Sequence, residues 1–313
     1  VHTNPSDTGD PSARKVRFDS AVDRSLVHRS AVAEVFVTDV VEREPDTFDC
    51  GVQWPRRHIL YRAPDDSIDG SLVVETIRQL TIAVAHVGYR VPGDSRFLMT
   101  GMRYAVDTDR VPTSAAPPEL IGRVRVDAVR RSTDGRTRSL RASVTLSADG
   151  RPVARGRGDA AIVPDVAYRR LRSSSVPSSN ASNEHSALTR VSPHDVGVVS
   201  EEDVLVAERA HTPGWSIVVD PTHPIYFDHP LDHVPGSLLM DAMRQAARLH
   251  LRKPQLDFAA FEASFSRVVE LRPVASVTVS GDREAVALEV RQSGEVAAVA
   301  SGVGRITPAG SGG

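Results

Sequence analysis

An acid and an arginine stand three positions apart twice in this chain, as Glu75 with Arg78 and as Asp241 with Arg244. On a helix that spacing puts both side chains on one face, so each couple can pair. Set in an apolar stretch, the carboxylate could take a proton from a hydroxyl, and the guanidinium could grip a phosphate through two parallel hydrogen bonds. A surface or structural ion pair is the competing reading, and recurrence of the couple in two apolar settings weighs against it. Ahead of the second couple, His229 and His233 precede a Pro235-Gly236 step. A loop histidine can take a hydroxyl proton and hand it to a leaving group, or it can simply bond to backbone. Glycine lets a ligand approach the backbone, and at a helix start its N–H adds to the dipole, which suits a carbonyl oxygen gaining charge. Arg56, Arg57 and His58 follow Gln53-Trp54-Pro55; they could reach a phosphate, or form a Trp-Pro turn with solvated arginines. His28, Arg29 and Asp39 read as strand-entry residues that serve architecture.

These residues belong to a duplication. Residues 55–79 overlay without a gap on residues 221–245, sharing a Gly-Ser start, an apolar run, an acid and an Arg-Gln pair. A repeat this widely spaced means two related domains rather than a solenoid, whose units recur about every 20 to 50 residues. Residues 173–183 are rich in Ser and Asn and too poor in apolar side chains to order themselves. The expected organisation is a disordered tail over residues 1–14, a domain over 15–170, a linker over 171–188 and a second domain over 189–308, the two domains packed as a pseudo-dimer.

The same order of elements is expected in each half. Residues 33–40 alternate as a strand does, and 195–199 are their weaker counterpart. After a Pro- and His-rich loop, residues 71–87 and 237–251 read as helices with a broad buried face, each started by a Gly-Ser pair. Strand patterns follow at 122–129 and 140–146 in the first half, and at 275–279, 285–290 and 296–300 in the second, separated by Asp-Gly and Ser-Gly turns. One helix among antiparallel strands is an α+β unit in which the sheet wraps the helix. Two such units suggest a tandem (double) hot-dog fold.

Composition removes several function classes. The 38 basic and 40 acidic residues leave a net charge of −2, which gives no general attraction to nucleic acid or to an anionic membrane. The one cysteine, Cys50, excludes an intramolecular disulfide and reads as a small buried hydrophobe. No Cys/His cluster suggests a metal, and no cofactor is expected. Residues 1–14 lack the apolar core of a signal peptide or anchor, and no run of about 18 apolar residues occurs. A cytoplasmic protein is expected.

Residues 229–245 are similar to the active-site segment of the β-hydroxyacyl-ACP dehydratases, in which a histidine loop leads to Pro-Gly and an acid-bearing helix. Pro235-Gly236, Asp241-Ala242-Met243 and Gln245 carry the match. The loop departs from it, so either His229 or His233 could take the histidine's place. The chain resembles the A-factor synthase (AfsA) family more fully, on Val27-His28-Arg29, residues 34–39, Gln53-Trp54-Pro55-Arg56 with His58, residues 75–79, 232–236 and 241–245. Asp241 departs from that pattern, where the family more often has glutamate.

That resemblance implies transfer of a β-ketoacyl group from acyl carrier protein, or coenzyme A, to the hydroxyl of dihydroxyacetone phosphate. The product leads to a γ-butyrolactone signal that controls secondary metabolism. By analogy with hot-dog dimers, His229 or His233 with Gly236 faces Glu75 across the interface. The matching loop of the first half has Ala63 and Ser67 in place of the histidines, so one site should dominate. A hot-dog dehydratase or thioesterase, and a non-catalytic acyl-binding module, are the alternatives. Homodimerisation is left open.

Overall fold

The computed structural model describes residues 14–61, 67–108, 116–173, 185, 188–209 and 213–306. The first half runs β1 (Val37–Glu44), β2 (Thr47–Gln53), α1 (Gly70–Tyr89), β3 (Arg96–Val106), β4 (Glu119–Arg131), β5 (Thr137–Ala148) and β6 (Arg151–Val163), then a short helix α2 (Asp165–Arg172). The second runs β7 (Val206–Ala207), β8 (Trp215–Ile217), α3 (Gly236–Leu251), β9 (Leu256–Phe265), β10 (Ser276–Gly281), β11 (Val286–Gln292) and β12 (Glu295–Ile306). All twelve strands form one sheet in the order β1-β2-β4-β5-β6-β3-β9-β12-β11-β10-β8-β7. Read inward from the two edges, the halves repeat one order, and they meet where β3 pairs antiparallel with β9, Tyr104 opposite Phe261. Each half wraps its sheet around its long helix, which is the tandem hot-dog arrangement.

The enclosed helices explain why the repeated segments are so apolar. In α1 nearly every residue from Gly70 to Ala85 is buried, and its first turn is capped by Asp69, whose carboxylate accepts the Ser71 N–H at 2.7 Å. The sheet approaches α1 closely where β6 lacks a side chain. A Cβ added at Gly156 would lie 2.4 Å from both the Arg103 carbonyl oxygen and Ile77 Cδ1. Cys50 lies fully buried in β2, where burial raises its thiol pKa far above the usual range.

Two clamps recur in both halves. Gln79 accepts the Phe36 N–H at 2.9 Å and donates to the Glu34 carbonyl at 2.7 Å. Gln245 does the same with Leu205 N–H at 2.8 Å and Asp203 carbonyl at 2.7 Å. The glutamine of the repeated Arg-Gln pair thus ties each helix to the chain entering its first strand. His58 Nδ1 accepts the backbone N–H groups of Leu60 and Tyr61, while Nε2 faces Glu34 at 3.2 Å. His223 repeats this with Ile225, Tyr226 and Asp203. These contacts pair His58 with His223, so the gapless overlay fails here: the second loop is the longer by one residue.

Other expectations are corrected as well. Residues 195–199 are not a strand; Pro193–Val196 form a 3-10 turn closed by Gly197 at φ 64°. Residues 33–40 begin with a 3-10 turn at Val32–Glu34 and become strand only at Val37. The expected tail and most of the expected linker lie outside the described residues. Arg14, at their edge, pairs with Asp39. Among the described residues no helix is long and apolar enough to cross a membrane.

Gly156→Val should force β6 away from α1 and destabilise the fold by about 1–3 kcal/mol. A calorimetric scan should show Tm lower by roughly 2–4 °C for each kcal/mol lost; an unchanged Tm would contradict the close approach.

Candidate active site

A cavity of about 520 Å³ opens between the halves, a size that suits a small-molecule substrate. Its lining joins Arg78 of α1 and the β3 residues Phe97, Leu98 and Met99 to His229, His233 and Gly236 of the second half. Four residues singled out by the repeat and the histidine loop therefore meet here: Arg78, His229, His233 and Gly236.

Arg78 is held in place by Glu75. The Glu75 carboxylate is 1% exposed and accepts from Arg78 Nε and Nη2 at 2.8 Å, from Arg29 Nη2 at 2.8 Å and from Gln79 Nε2 at 2.7 Å. Burial raises its pKa, but the two guanidiniums and their hydrogen bonds outweigh that and bring it down to about 2. Glu75 therefore stays ionised at neutral pH with both oxygens occupied. The expectation that it serves as a base fails for that reason; it orients Arg78. Arg29, read from sequence as architecture, also donates to the Ile225 carbonyl at 2.8 Å and so reaches into the other half.

The start of α3 supplies donors. Its N-cap is Pro235, which offers no side-chain cap. The first N–H groups of a helix have no partner within it, and the dipole adds partial positive charge there. Gly236 lies against Met99: a Cβ added there would lie 2.9 Å from Met99 Sδ.

Both loop histidines line the same space, and each is paired with an aspartate. His233 Nδ1 lies 2.8 Å from Asp232 Oδ1. A carboxylate at Nδ1 fixes the proton there and leaves Nε2 as the basic nitrogen. His229 Nδ1 lies 3.6 Å from Asp228, which also accepts the backbone N–H groups of Ser30 and Ala31. Burial keeps the His229 pKa below the ordinary histidine value against the pull of Asp228, with Arg78 and Arg29 acting in the same direction as burial.

His28 also lines the cavity, its Nε2 2.9 Å from His86 Nε2. Burial, then His86, Arg78, His229 and Arg96, push its pKa down to about 3, so it is neutral. Only its place in the Val27-His28-Arg29 string marked it in the sequence.

The second acid-arginine couple is built differently. Asp241 accepts the Tyr226 hydroxyl at 2.7 Å and Arg244 Nη1 at 2.9 Å, and it contacts Ser71 of α1. Arg244 also meets Asp257 at 2.7 Å and Asp69 at 3.2 Å. The couple borders only a void of about 60 Å³, away from both loop histidines. At the start of α1, the Asp69 and Asp257 carboxylates already take the Ser71 and Gly70 N–H groups. Asp241 and Arg244 thus form a closed polar core, not a second open site. Residues 62–66, which include Ala63, lie outside the described residues.

Arg56 and Arg57 are exposed and do not border the cavity, and His58 is buried in its loop clamp. The structure does not bring these three to the histidines. No group of side chains among the described residues is arranged to hold a metal ion.

A family model described as "A-factor biosynthesis hotdog domain" matches residues 12–164 and 179–308. The chain belongs to that family. It is 34% identical over 253 residues to the 2-oxo-3-(phosphooxy)propyl 3-oxoalkanoate synthase of Streptomyces virginiae, covering 80% of this chain and 84% of that one. To the synthase of the same name from Streptomyces coelicolor it is 30% identical, over 73% of this chain and 72% of that one. An acyl-ACP thioesterase from Bacteroides thetaiotaomicron shares the fold at a TM-score of 0.50 and 11% identity, over 82% of this chain and 98% of that one.

In this member of the A-factor hot-dog family, Glu75→Gln should cost about 3–5 kcal/mol at neutral pH, because it leaves Arg29 and Arg78 uncompensated. A depressed carboxylate pKa stabilises the fold above the unfolded value of about 4.5, and that stability is lost as pH falls toward about 2. Urea melts should therefore show the gap between wild type and variant shrinking across that window. A gap constant with pH would contradict the ion-paired state.

Proposed function

We propose that the chain is an acyltransferase that moves a β-ketoacyl group from acyl carrier protein to the hydroxyl of dihydroxyacetone phosphate. The reading rests on one observation: a single open cavity joins an uncapped helix start, a histidine paired with aspartate and an arginine held ready for an anion. The names of the Streptomyces relatives, which specify a phosphooxypropyl ester of a 3-oxoalkanoate, support it.

The acyl chain lies against the apolar wall that includes Phe97, Leu98 and Met99. The thioester carbonyl points at the N–H groups of Gly236 and Ser237, and the acceptor's phosphate lies against Arg78. His233 Nε2 takes the acceptor's hydroxyl proton as its oxygen bonds to the carbonyl carbon. The resulting oxyanion is held by the α3 start, a kind of stabilisation worth about 3–4 kcal/mol. The C–S bond then breaks, and His233 returns the proton to the leaving thiolate. The products are the β-keto ester of dihydroxyacetone phosphate and free carrier thiol. Arg78 distinguishes this chemistry from hydrolysis or dehydration, neither of which needs a phosphorylated acceptor.

Incubating β-ketoacyl carrier protein with and without dihydroxyacetone phosphate tests the reading. Thiol release should depend on the acceptor, and mass spectrometry should find the ester. His233→Ala should slow transfer by about a hundredfold or more, whereas Asp241→Asn should keep turnover per folded molecule. Acceptor-independent release would establish a thioesterase instead, and a retained acyl chain with no product would establish a binding module.

A further inference from the structure

His233 is gripped by an element that the duplication does not account for. α2 follows β6 and lines part of the cavity wall, and two of its lining residues, Tyr168 and Arg172, reach the His233 loop. The Tyr168 hydroxyl lies 2.6 Å from Asp232 Oδ1 and 3.1 Å from His233 Nδ1. Arg172 donates from Nε to Asp232 Oδ2 at 2.9 Å and from Nη2 to the Asp232 carbonyl at 2.8 Å. The same guanidinium pairs with Glu270, whose backbone bridges to that of His233, and the Val234 N–H donates to the Val269 carbonyl at 2.8 Å.

These contacts fix protons as well as atoms. Asp232 carries three donors, from His233, Tyr168 and Arg172, and they outweigh its partial burial to hold its pKa well below the carboxylate range. An ionised carboxylate only accepts, so Tyr168 and His233 Nδ1 both donate to Asp232 Oδ1. The His233 proton is thereby confined to Nδ1, and Nε2 keeps its lone pair. The charged groups around His233 are Asp232 from its own loop, Arg172 from α2 and Glu270 from the segment after β9. Arg172 and Tyr168 both act on His233 through Asp232, so α2 bears on the orientation of the ring.

Among the described residues, no helix grips His229 in this way. Its aspartate is held instead by the Ser30 and Ala31 backbone N–H groups, at a looser 3.6 Å from the ring. Tyr168 is 8% exposed, so its hydroxyl is committed to this contact rather than to solvent.

We propose that Tyr168 and Arg172 of α2 are positioning residues, which lock the tautomer and orientation of His233 through Asp232 and so select His233 over His229 as the acid-base group. The proposal rests on the acyl-transfer reading for its kinetics but not for its tautomer. Removing either clamp takes a donor from Asp232 and frees the carboxylate that holds His233 Nδ1.

The test uses the full chain with Tyr168→Phe, Arg172→Met and His233→Ala, alone and combined. Tyr168→Phe should lower kcat by about tenfold or more with KM for dihydroxyacetone phosphate unchanged. In the His233→Ala background it should have no further effect, because the clamp acts through the ring it positions. Nitrogen NMR of the His233 ring should find the proton on Nδ1 in the wild type and shared between both nitrogens in Arg172→Met. A Tyr168→Phe defect that persists without His233, or a wild-type ring protonated on Nε2, would overturn the proposal. If the wild type transfers no acyl group to dihydroxyacetone phosphate, the acyl-transfer reading fails while the NMR result still decides the clamp.

Discussion

Everything at the cavity depends on a carboxylate that never meets solvent. Glu75 lies in the middle of a helix enclosed by sheet, and a lone charge there would carry a desolvation cost of several kcal/mol. Arg29, Arg78 and Gln79 offset that cost by occupying both its oxygens. Because Arg29 continues to the Ile225 carbonyl, the same ion pair fastens the first half to the loop that carries His229 and His233. Arg78 is left with its guanidinium plane fixed at the cavity edge. Its charge, with burial, keeps His28 and His229 neutral nearby. With those imidazoles uncharged, Arg78 is left as the fixed cation beside them for an anionic acceptor, and the hydroxyl proton falls to His233.

The duplication supplies two equivalent scaffolds, and among the described residues their helix starts are used differently. The glutamine and histidine clamps are the same in both halves because each fold needs its helix tied to its first strand and its loop closed onto itself. The helix starts are not the same. α1 begins with Asp69 and meets Asp257, so its donors are already used. α3 begins with Pro235, which can cap nothing. Where the first case closes, Asp241 and Arg244 have joined Asp69 and Asp257 in a buried network that ties the halves together.

Much of this was legible from residue order. The repeat showed two related units, the long apolar helices were found within two residues of their observed starts and ends, and β4, β5, β10, β11 and β12 showed clear alternation. β9 was missed because only its second half, Phe261–Phe265, alternates, while the first half has buried residues on both faces. α2 was missed because eight residues with three arginines look like a solvated surface, yet it supplies Tyr168 and Arg172 to the site. The cavity's membership was partly visible, in Arg78, His229, His233 and Gly236. The role of Glu75 was not, because spacing shows the arginine three residues away and not Arg29, which arrives from 46 positions upstream. His58 looked like a phosphate ligand for a similar reason: it accepts backbone amides and faces Glu34 from 24 positions upstream, which no local side-chain pattern reveals.

The central claim is that one helix start, that of α3, receives the thioester. A crystal structure with a non-hydrolysable β-ketoacyl pantetheine analogue tests it directly. The account predicts one analogue per chain, with its carbonyl oxygen within about 3.2 Å of the Gly236 or Ser237 nitrogen and its acyl chain along Met99. An analogue bound at the start of α1 beside Asp241 and Arg244, or one at each helix, would contradict it.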